Sequence, residues 1–239
     1  MIEPLLLAVA RVSTFDIDRP LTNASGFFFQ RDERLFLVTS RHVVIDEPSE
    51  HFPSHLQIEL HTNDDNLAES TGFSIPLYED GKSIWRQGKD SGGEIDIAMV
   101  EIDRSALPEN TLYQAFTPEH LADIKKPIEI GTALLVVGFP LGFHDTLHHM
   151  PVARQASIAS SFGLPFKGEG YFLTDARIHR GSSGAPIVMR KPGSSAELPW
   201  VLLGVHSSRL DVGSRDHELD EALGLNCAWY SDILLTLSE

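Results

Sequence analysis

Short runs of β-branched and aromatic residues, broken by Gly, Pro, Asp and Asn, recur along almost the whole of this 239-residue chain. Such runs suit half-buried or buried strands, and the breakers between them suit turns. The pattern predicts strands at Leu6–Phe15, Ala24–Gln30, Leu35–Thr39, Leu56–His61, Thr71–Leu77 and Ile97–Ile102. A second set follows at Ala133–Val137, Val152–Ser160, Tyr171–Thr174, Ala185–Met189, Trp200–Ser207 and Cys227–Tyr230. Between the sets lies Arg104–Pro127, weakly patterned and carrying Pro108, Pro118 and Pro127. It reads as the connection between two small barrels. Thr117 before Pro118 marks a short helix start, and Ser231 is expected to cap a C-terminal helix through Leu237. The polar, glycine-rich stretch Asp80–Gly93 reads as a surface hairpin or loop. The fold class is all-β.

A chain that is 42% hydrophobic and 22% charged carries enough apolar surface for a sizeable core. Thirty-four acidic residues against 19 basic ones give a net charge of −15. Nucleic-acid phosphates are repelled by such a field, which argues against non-specific nucleic-acid binding and for basic peptide or protein faces. Cys227 is the single cysteine, so no internal disulfide forms, a usage that suits a reducing compartment. The apolar start has Glu3 and Pro4 ahead of it and passes directly into Arg11-Val12-Ser13-Thr14-Phe15. That order lacks the basic lead and cleavage site of a secretory signal and reads as a first buried strand. No run approaches transmembrane length. The expectation is a cytoplasmic protein with no membrane partner.

Three segments carry chemistry together. Phe36-Leu37-Val38-Thr39-Ser40-Arg41-His42 runs an apolar strand into a histidine. Glu94-Ile95-Asp96-Ile97-Ala98 places an acid at the head of a buried strand. Gly181-Ser182-Ser183-Gly184-Ala185-Pro186 is a small-residue turn between two strands. A serine on such a turn can expose its hydroxyl while neighbouring N–H groups converge on one point. A hydroxyl is a poor nucleophile at neutral pH, so an imidazole must take its proton, and a carboxylate must hold that imidazole in one tautomer. Each segment alone has a structural reading: a strand-end histidine, a strand-capping acid, a turn. On residue types alone, Ser182 and Ser183 both remain candidate nucleophiles.

With these motifs in this order the sequence resembles the trypsin/chymotrypsin-fold serine proteases, and most of all their HtrA-like branch. Ser25-Gly26-Phe27 is similar to that family's Gly-Ser-Gly-Phe. Val38-Thr39-Ser40-Arg41-His42-Val43-Val44 resembles its Leu-Thr-Asn-x-His-Val-Val. Asp96-Ile97-Ala98 resembles its Asp-(Ile/Leu)-Ala, and Gly138-Phe139-Pro140-Leu141-Gly142 its Gly-x-Pro-x-Gly. Thr174-Asp175-Ala176 followed by Arg180-Gly181-Ser182-Ser183-Gly184 resembles its Thr-Asp-Ala…Gly-Asn-Ser-Gly, and Gly224–Tyr230 its final strand.

The resemblance implies two antiparallel six-stranded β-barrels with a short C-terminal helix. Residues 1–116 would form the barrel carrying the histidine and acid, and 117–239 the barrel carrying the serine. It implies Ser183 as nucleophile, because the family's serine stands directly before Gly-Gly or Gly-Ala, with His42 as base and Asp96 as its orienting partner. Gly181, Ser182 and Ser183 would form the oxyanion loop, with the N–H groups of Gly181 and Ser183 as donors. Arg177–Ser182, Gly204–Arg209 and Ala222–Asn226 would wall the specificity pocket. Arg177, His179, His206, Ser207, Ser208 and Gly224 are its candidate substrate contacts. Gly204-Val205-His206 resembles the pocket histidine of glutamyl endopeptidases and picornavirus-type proteases, which implies Glu or Gln before the scissile bond; the alternative is a structural histidine beside a pocket for small apolar residues.

The resemblance implies no cofactor and a protein or peptide substrate. An activating partner or homo-oligomer is a further implication, as is the alternative of a catalytically silent binding module. The chain ends where the family's PDZ domain would begin. It lacks an Ile-Val-Gly-Gly start and has Ser182 where zymogen-activated relatives have Asp, so activation by a new N-terminus is not expected. His144-Asp145-Thr146-Leu147-His148-His149 has metal-ligand spacing only if helical and reads as a loop.

Overall fold

The computed structural model describes residues 2–210 and 223–239. Among these, the strands of the first half are β1 (Val9–Asp16), β2 (Arg19–Arg31), β3 (Arg34–Thr39), β4 (His55–His61), β5 (Ser70–Pro76), β6 (Tyr78–Glu79), β7 (Lys82–Ser83), β8 (Trp85–Asp90) and β9 (Gly93–Ile102). The second half contributes β10 (Ala133–Gly138), β11 (Val152–Ser157), β12 (Tyr171–Thr174), β13 (Pro186–Arg190), β14 (Trp200–Arg209) and β15 (Asn226–Tyr230). They form two antiparallel sheets, ordered β5-β4-β1-β2-β3-β9-β8 and β11-β10-β13-β14-β15-β12, with β6-β7 as a separate ribbon.

The all-β expectation is met, with a strand count of seven and six rather than six and six. The extra strand is β8, inside the stretch expected to be a surface hairpin or loop, and it forms a hairpin with β9. Its sequence, Trp-Arg-Gln-Gly-Lys-Asp, is polar because it is a half-exposed sheet edge, and it is ordered by pairing with β9 rather than by its own pattern.

Alternation along the strands sorts side chains between two cores. On β3, Leu35 and Leu37 enter the core of the first sheet together with Ala98 and Val100 of β9. Phe36 and Val38 of β3, with Ile95 and Ile97 of β9, face the opposite way. There they join Val137, Leu202, Val205 and Trp229 in a core shared by both sheets. Strands β3 and β9 are therefore buried on both faces and read as almost unbroken apolar runs. A third core, with Phe162, Phe172, Ile187 and Tyr230, fills the second sheet.

The connection leaves the first sheet at Phe116, whose N–H donates to Phe28, and reaches the second where Ala122 donates to Leu202. Pro118–His120 forms a single 3-10 turn, closed by reciprocal bonds between Thr117 and His120. Leu6 and Leu7, expected to open the first strand, belong instead to a helical turn, Pro4–Leu7, that drops Leu5 into the shared core. The closing helix is Ile233–Leu237; Asp232 rather than Ser231 occupies its cap, because the Ser231 hydroxyl donates to Leu202. Arginines of the first sheet meet the carbonyl end of this helix. Arg31 donates to Leu235 at 2.6 Å, Arg86 to Leu237 at 2.9 Å, and Arg34 to Ser238 and Glu239 at 3.0 Å. No helix of the described residues is long and apolar enough to cross a membrane.

Candidate active site

The site lies where the two sheets meet. A short helical turn, Arg41–Val44, follows β3, and burial of Val43 and Val44 in the first core fixes its rotation. That leaves His42 turned toward the seam. Asp96 sits at the rim end of the β9 row that continues inward as Ala98 and Val100, so its carboxylate faces the same turn. Asp96 Oδ1 accepts the His42 backbone N–H at 2.9 Å, and Oδ2 accepts from His42 Nδ1 at 2.7 Å. A carboxylate can only accept, so the imidazole proton lies on Nδ1 and Nε2 is the acceptor. Nε2 stands 2.8 Å from Ser183 Oγ and can accept its proton, for which the Ser207 carbonyl at 3.2 Å is the longer, competing acceptor.

Burial by itself pushes the His42 imidazole down, but the hydrogen bond and charge of Asp96 outweigh it and hold the ring above its ordinary value. Burial likewise pushes the Asp96 carboxyl up. The bonds and charge of His42, with the Ser207 hydroxyl at 2.5 Å, outweigh that and hold Asp96 below its ordinary value. The pair is built to carry a proton on the ring while the carboxylate stays charged.

The turn that presents Ser183 is pinned from three sides. Gly181 and Gly184 both have positive φ, +89° and +84°. A Cβ on Gly181 would stand 2.6 Å from the Phe139 carbonyl oxygen, so the close approach itself requires glycine. The Arg180 carbonyl accepts from Leu141 N–H at 2.5 Å, which turns it out of the cleft and frees the Gly181 N–H on the other side of that peptide. Ser183 N–H also has no acceptor among the described residues. Two N–H groups thus flank the nucleophile position with nothing to bind. The Ser182 N–H is committed to His179 at 3.3 Å and its side chain is buried, so Ser182 is neither a hole donor nor an accessible hydroxyl.

Serine hydroxyls join the two sheets around this turn. Ser25 of β2 donates from Oγ to the Gly181 carbonyl at 2.8 Å and accepts from Phe139 N–H at 2.9 Å. Its backbone N–H holds the Ser183 carbonyl at 2.9 Å. Ser40 donates to the His206 carbonyl across the seam at 3.1 Å. Sequence reading gave Ser25 and Ser40 no role. The available signal was a serine inside or at the end of an apolar strand, since a buried hydroxyl needs a partner.

The structure separates the remaining candidates. The Ser207 hydroxyl donates to Asp96 and its carbonyl accepts from Ser183 Oγ at 3.2 Å, so its side chain is engaged with Asp96 rather than lining a pocket. Ser208 and Arg177 are exposed. His179 lines a groove along β11 on the far side of Leu141, away from the cleft. His206 is buried on β14 with no partner for Nδ1, and burial pushes its imidazole down to about 3. Gly224, at φ +67°, accepts from Asn226. Ala222, part of the expected third wall, lies outside the described residues. His144, His148 and His149 are on a loop: His144 bonds the Gly142 carbonyl, His148 bonds Asp145 of the same loop, and His149 stacks on His144. No group of three metal-binding side chains occurs among the described residues.

A cleft of about 920 Å³ runs from His42 and Ser183 between Leu21–Ala24 of β2, the Asp46–Phe52 loop and Leu141-Gly142. Two antiparallel sheets with a histidine and acid on one and a serine turn on the other define a class of protein, the chymotrypsin-like serine hydrolase scaffold. The chain belongs to the trypsin-like peptidase domain family, which it matches over residues 24–193. It is 23% identical over 195 residues to a mitochondrial serine protease HTRA2 of Drosophila pseudoobscura pseudoobscura, covering 82% of this chain and 36% of that protein. To a probable periplasmic DegP-like serine endoprotease of Rhizobium meliloti (strain 1021) it is 28% identical over 171 residues, covering 70% and 26%. It thus spans about a third of the length of these relatives. In fold it is similar to the serine endoprotease of Yersinia pestis, with a TM-score of 0.55 at 16% identity, covering 97% of this chain and 61% of that one.

Proposed function

We propose that the chain is a serine endopeptidase acting through an acyl-enzyme. The observation that carries this reading is the unbroken chain of bonds Asp96–His42–Ser183, 2.7 and 2.8 Å, beside two unsatisfied N–H groups. In this mechanism His42 Nε2 takes the Ser183 proton as Oγ attacks the substrate carbonyl. The developing oxyanion is received by the N–H groups of Gly181 and Ser183. The imidazolium, stabilised by Asp96, then gives its proton to the leaving amine, and water repeats the cycle to release the acid. The outward turn of the Arg180 carbonyl supports a hole formed without a partner. Labelling with a fluorophosphonate probe tests the proposal. Labelling of the parent and none of Ser183→Ala supports it; no labelling of a folded parent, with or without candidate partners, overturns it in favour of a silent binding module.

A second reading, cleavage after Gln or Glu, rests on His206. Directly opposed residues of antiparallel strands share a face. His206 opposes Ala228, Ala228 opposes Phe172, and Asn226 opposes Thr174. His206 Nδ1, Asn226 Oδ1 and Thr174 Oγ1 are thus on one face, all buried and all without a hydrogen-bond partner. Three such groups suit a polar side chain inserted between them, and a neutral imidazole favours the Gln amide over a charged carboxylate. Profiling of a peptide library tests this, and dominant cleavage after Val, Ala or Arg overturns it.

A further inference from the structure

Strand β11 ends the second sheet, and its outer edge is open beside a second groove. The direction of its main-chain groups follows from its far end. The Ser157 carbonyl accepts from Asp175 N–H, and Ser157 N–H donates to Asp175 Oδ1, so both Ser157 groups point away from β10. Ile158, one residue on, points its N–H and C=O the other way, to Thr132 and Gly131. By the same alternation, the N–H and C=O of Gln155 and Ala153 point outward with Ser157. Among the described residues those four groups have no partner.

The groove they face holds about 670 Å³ and has Pro140, Leu141, Phe143 and Val152 as its apolar lining. Leu141 and Phe143 are 71% and 68% exposed, which is unusual for side chains of this size standing together. Arg154 and His179 complete the lining, and Arg177 and Arg180 flank His179 on its segment. In a chain of net charge −15, none of Arg154, Arg177 and Arg180 forms an ion pair among the described residues. The nearest acid in sequence, Asp175, is engaged by Ser157 N–H and Oγ at 2.6 and 2.8 Å.

We propose that this edge binds an extended acidic–apolar peptide segment of another protein, added as a strand to β11. The four open main-chain groups supply the pairing, Leu141 and Phe143 take an apolar side chain, and the arginines take carboxylates. The groove shares Leu141 with the catalytic cleft, which Arg180 also lines, but its strand edge lies outside that cleft, so the site does not depend on the proposed chemistry.

The test uses the Ser183→Ala chain, so that the ligand stays intact, and a blocked octapeptide of alternating Glu and Val, with a Lys–Val octapeptide as control. Binding is read by fluorescence anisotropy and by amide hydrogen exchange. The expected result is binding of the Glu–Val peptide that weakens with salt, with slowed exchange at the Ala153 and Gln155 amides. Reversing two charges in Arg154→Glu/Arg177→Glu is expected to weaken binding about tenfold, as two partly exposed ion pairs should. Equal binding of the Lys–Val peptide, protection confined to Leu21–Ala24 and the cleft, or no binding at millimolar peptide would each overturn the proposal. Gln155→Pro removes one open N–H without touching charge; undiminished binding by that variant in folded form also counts against strand addition.

Discussion

Replacing Ser25 by Ala removes a hydroxyl that holds two connecting segments of the second half at once: the Gly181 carbonyl at 2.8 Å and the Phe139 N–H at 2.9 Å. Alanine fits the space but leaves both partners bare. The Phe139 N–H is buried and the Gly181 carbonyl partly so. Stranding such groups costs about 1–3 kcal/mol for the buried one and about 1 for the other, or about 2–4 kcal/mol of folding stability together. The catalytic consequence is separate. Gly181 would keep the bond through the Arg180 carbonyl to Leu141 but lose the one on its own carbonyl, so its N–H would no longer be held on the oxyanion position. Full loss of a hole donor lowers kcat by about 10²–10³. With one of two restraints kept, a fall of about 10–100-fold in kcat is expected. Since Ser25 touches no substrate position, KM should change by no more than about twofold. Steady-state hydrolysis of a chromogenic peptide ester, alongside urea unfolding, measures both. Ser25→Thr, which restores a hydroxyl, should recover part of kcat. A folded Ser25→Ala chain with parental kcat would refute the reasoning, as would a rise in KM with kcat unchanged.

Other expectations follow from the same contacts. Activity requires neutral His42, so kcat/KM should rise with pH through an apparent pKa above 6.5, because Asp96 holds the ring protonated longer than its ordinary value. A midpoint at or below that value contradicts the assignment. Asp96→Asn should lower that midpoint and reduce kcat by about 10⁴, as loss of the orienting carboxylate does in chymotrypsin-family proteases; a loss under tenfold would remove Asp96 from the proposed triad. Gly184→Ala places a Cβ against the Ser25 carbonyl and Thr39 at a positive φ, and should destabilise the fold by more than about 2 kcal/mol in denaturant titration. Arg86→Ala loses one bond at the end of the closing helix and a 3.6 Å half-exposed ion pair with Glu101, and should cost about 1–2 kcal/mol, with activity retained.

Much of the fold was legible because strand alternation and turn residues are local properties. The runs around Phe36 and Ile97 announced buried strands, and both are buried on two faces. Trp85–Asp90 carries no apolar alternation, and within the expected hairpin or loop it becomes a strand by pairing with the adjoining β9. Elsewhere a distant partner decided. Leu6 and Leu7 look like strand by composition, yet they coil so that Leu5 can reach the shared core. The Ser231 hydroxyl is drawn from the helix cap to the Leu202 carbonyl. In the site, residue types and order pointed to His42, Asp96 and the Ser182-Ser183 turn, and the family resemblance to Ser183 within it, but nothing local distinguished Ser207 as a partner of Asp96 from a pocket residue.

The sequence by itself determined an all-β chain in two strand-rich halves, an acidic surface, and three segments able to carry a nucleophile, a base and an acid. Only the tertiary structure brought them together, across 54 residues from His42 to Asp96 and 141 from His42 to Ser183. It also chose Ser183 over Ser182, by burying one hydroxyl and aiming the other at an imidazole. The physical reason is that pattern and propensity act between near neighbours. Direction, burial and proton position at the seam are set by hydrogen bonds between two sheets that the chain order keeps far apart.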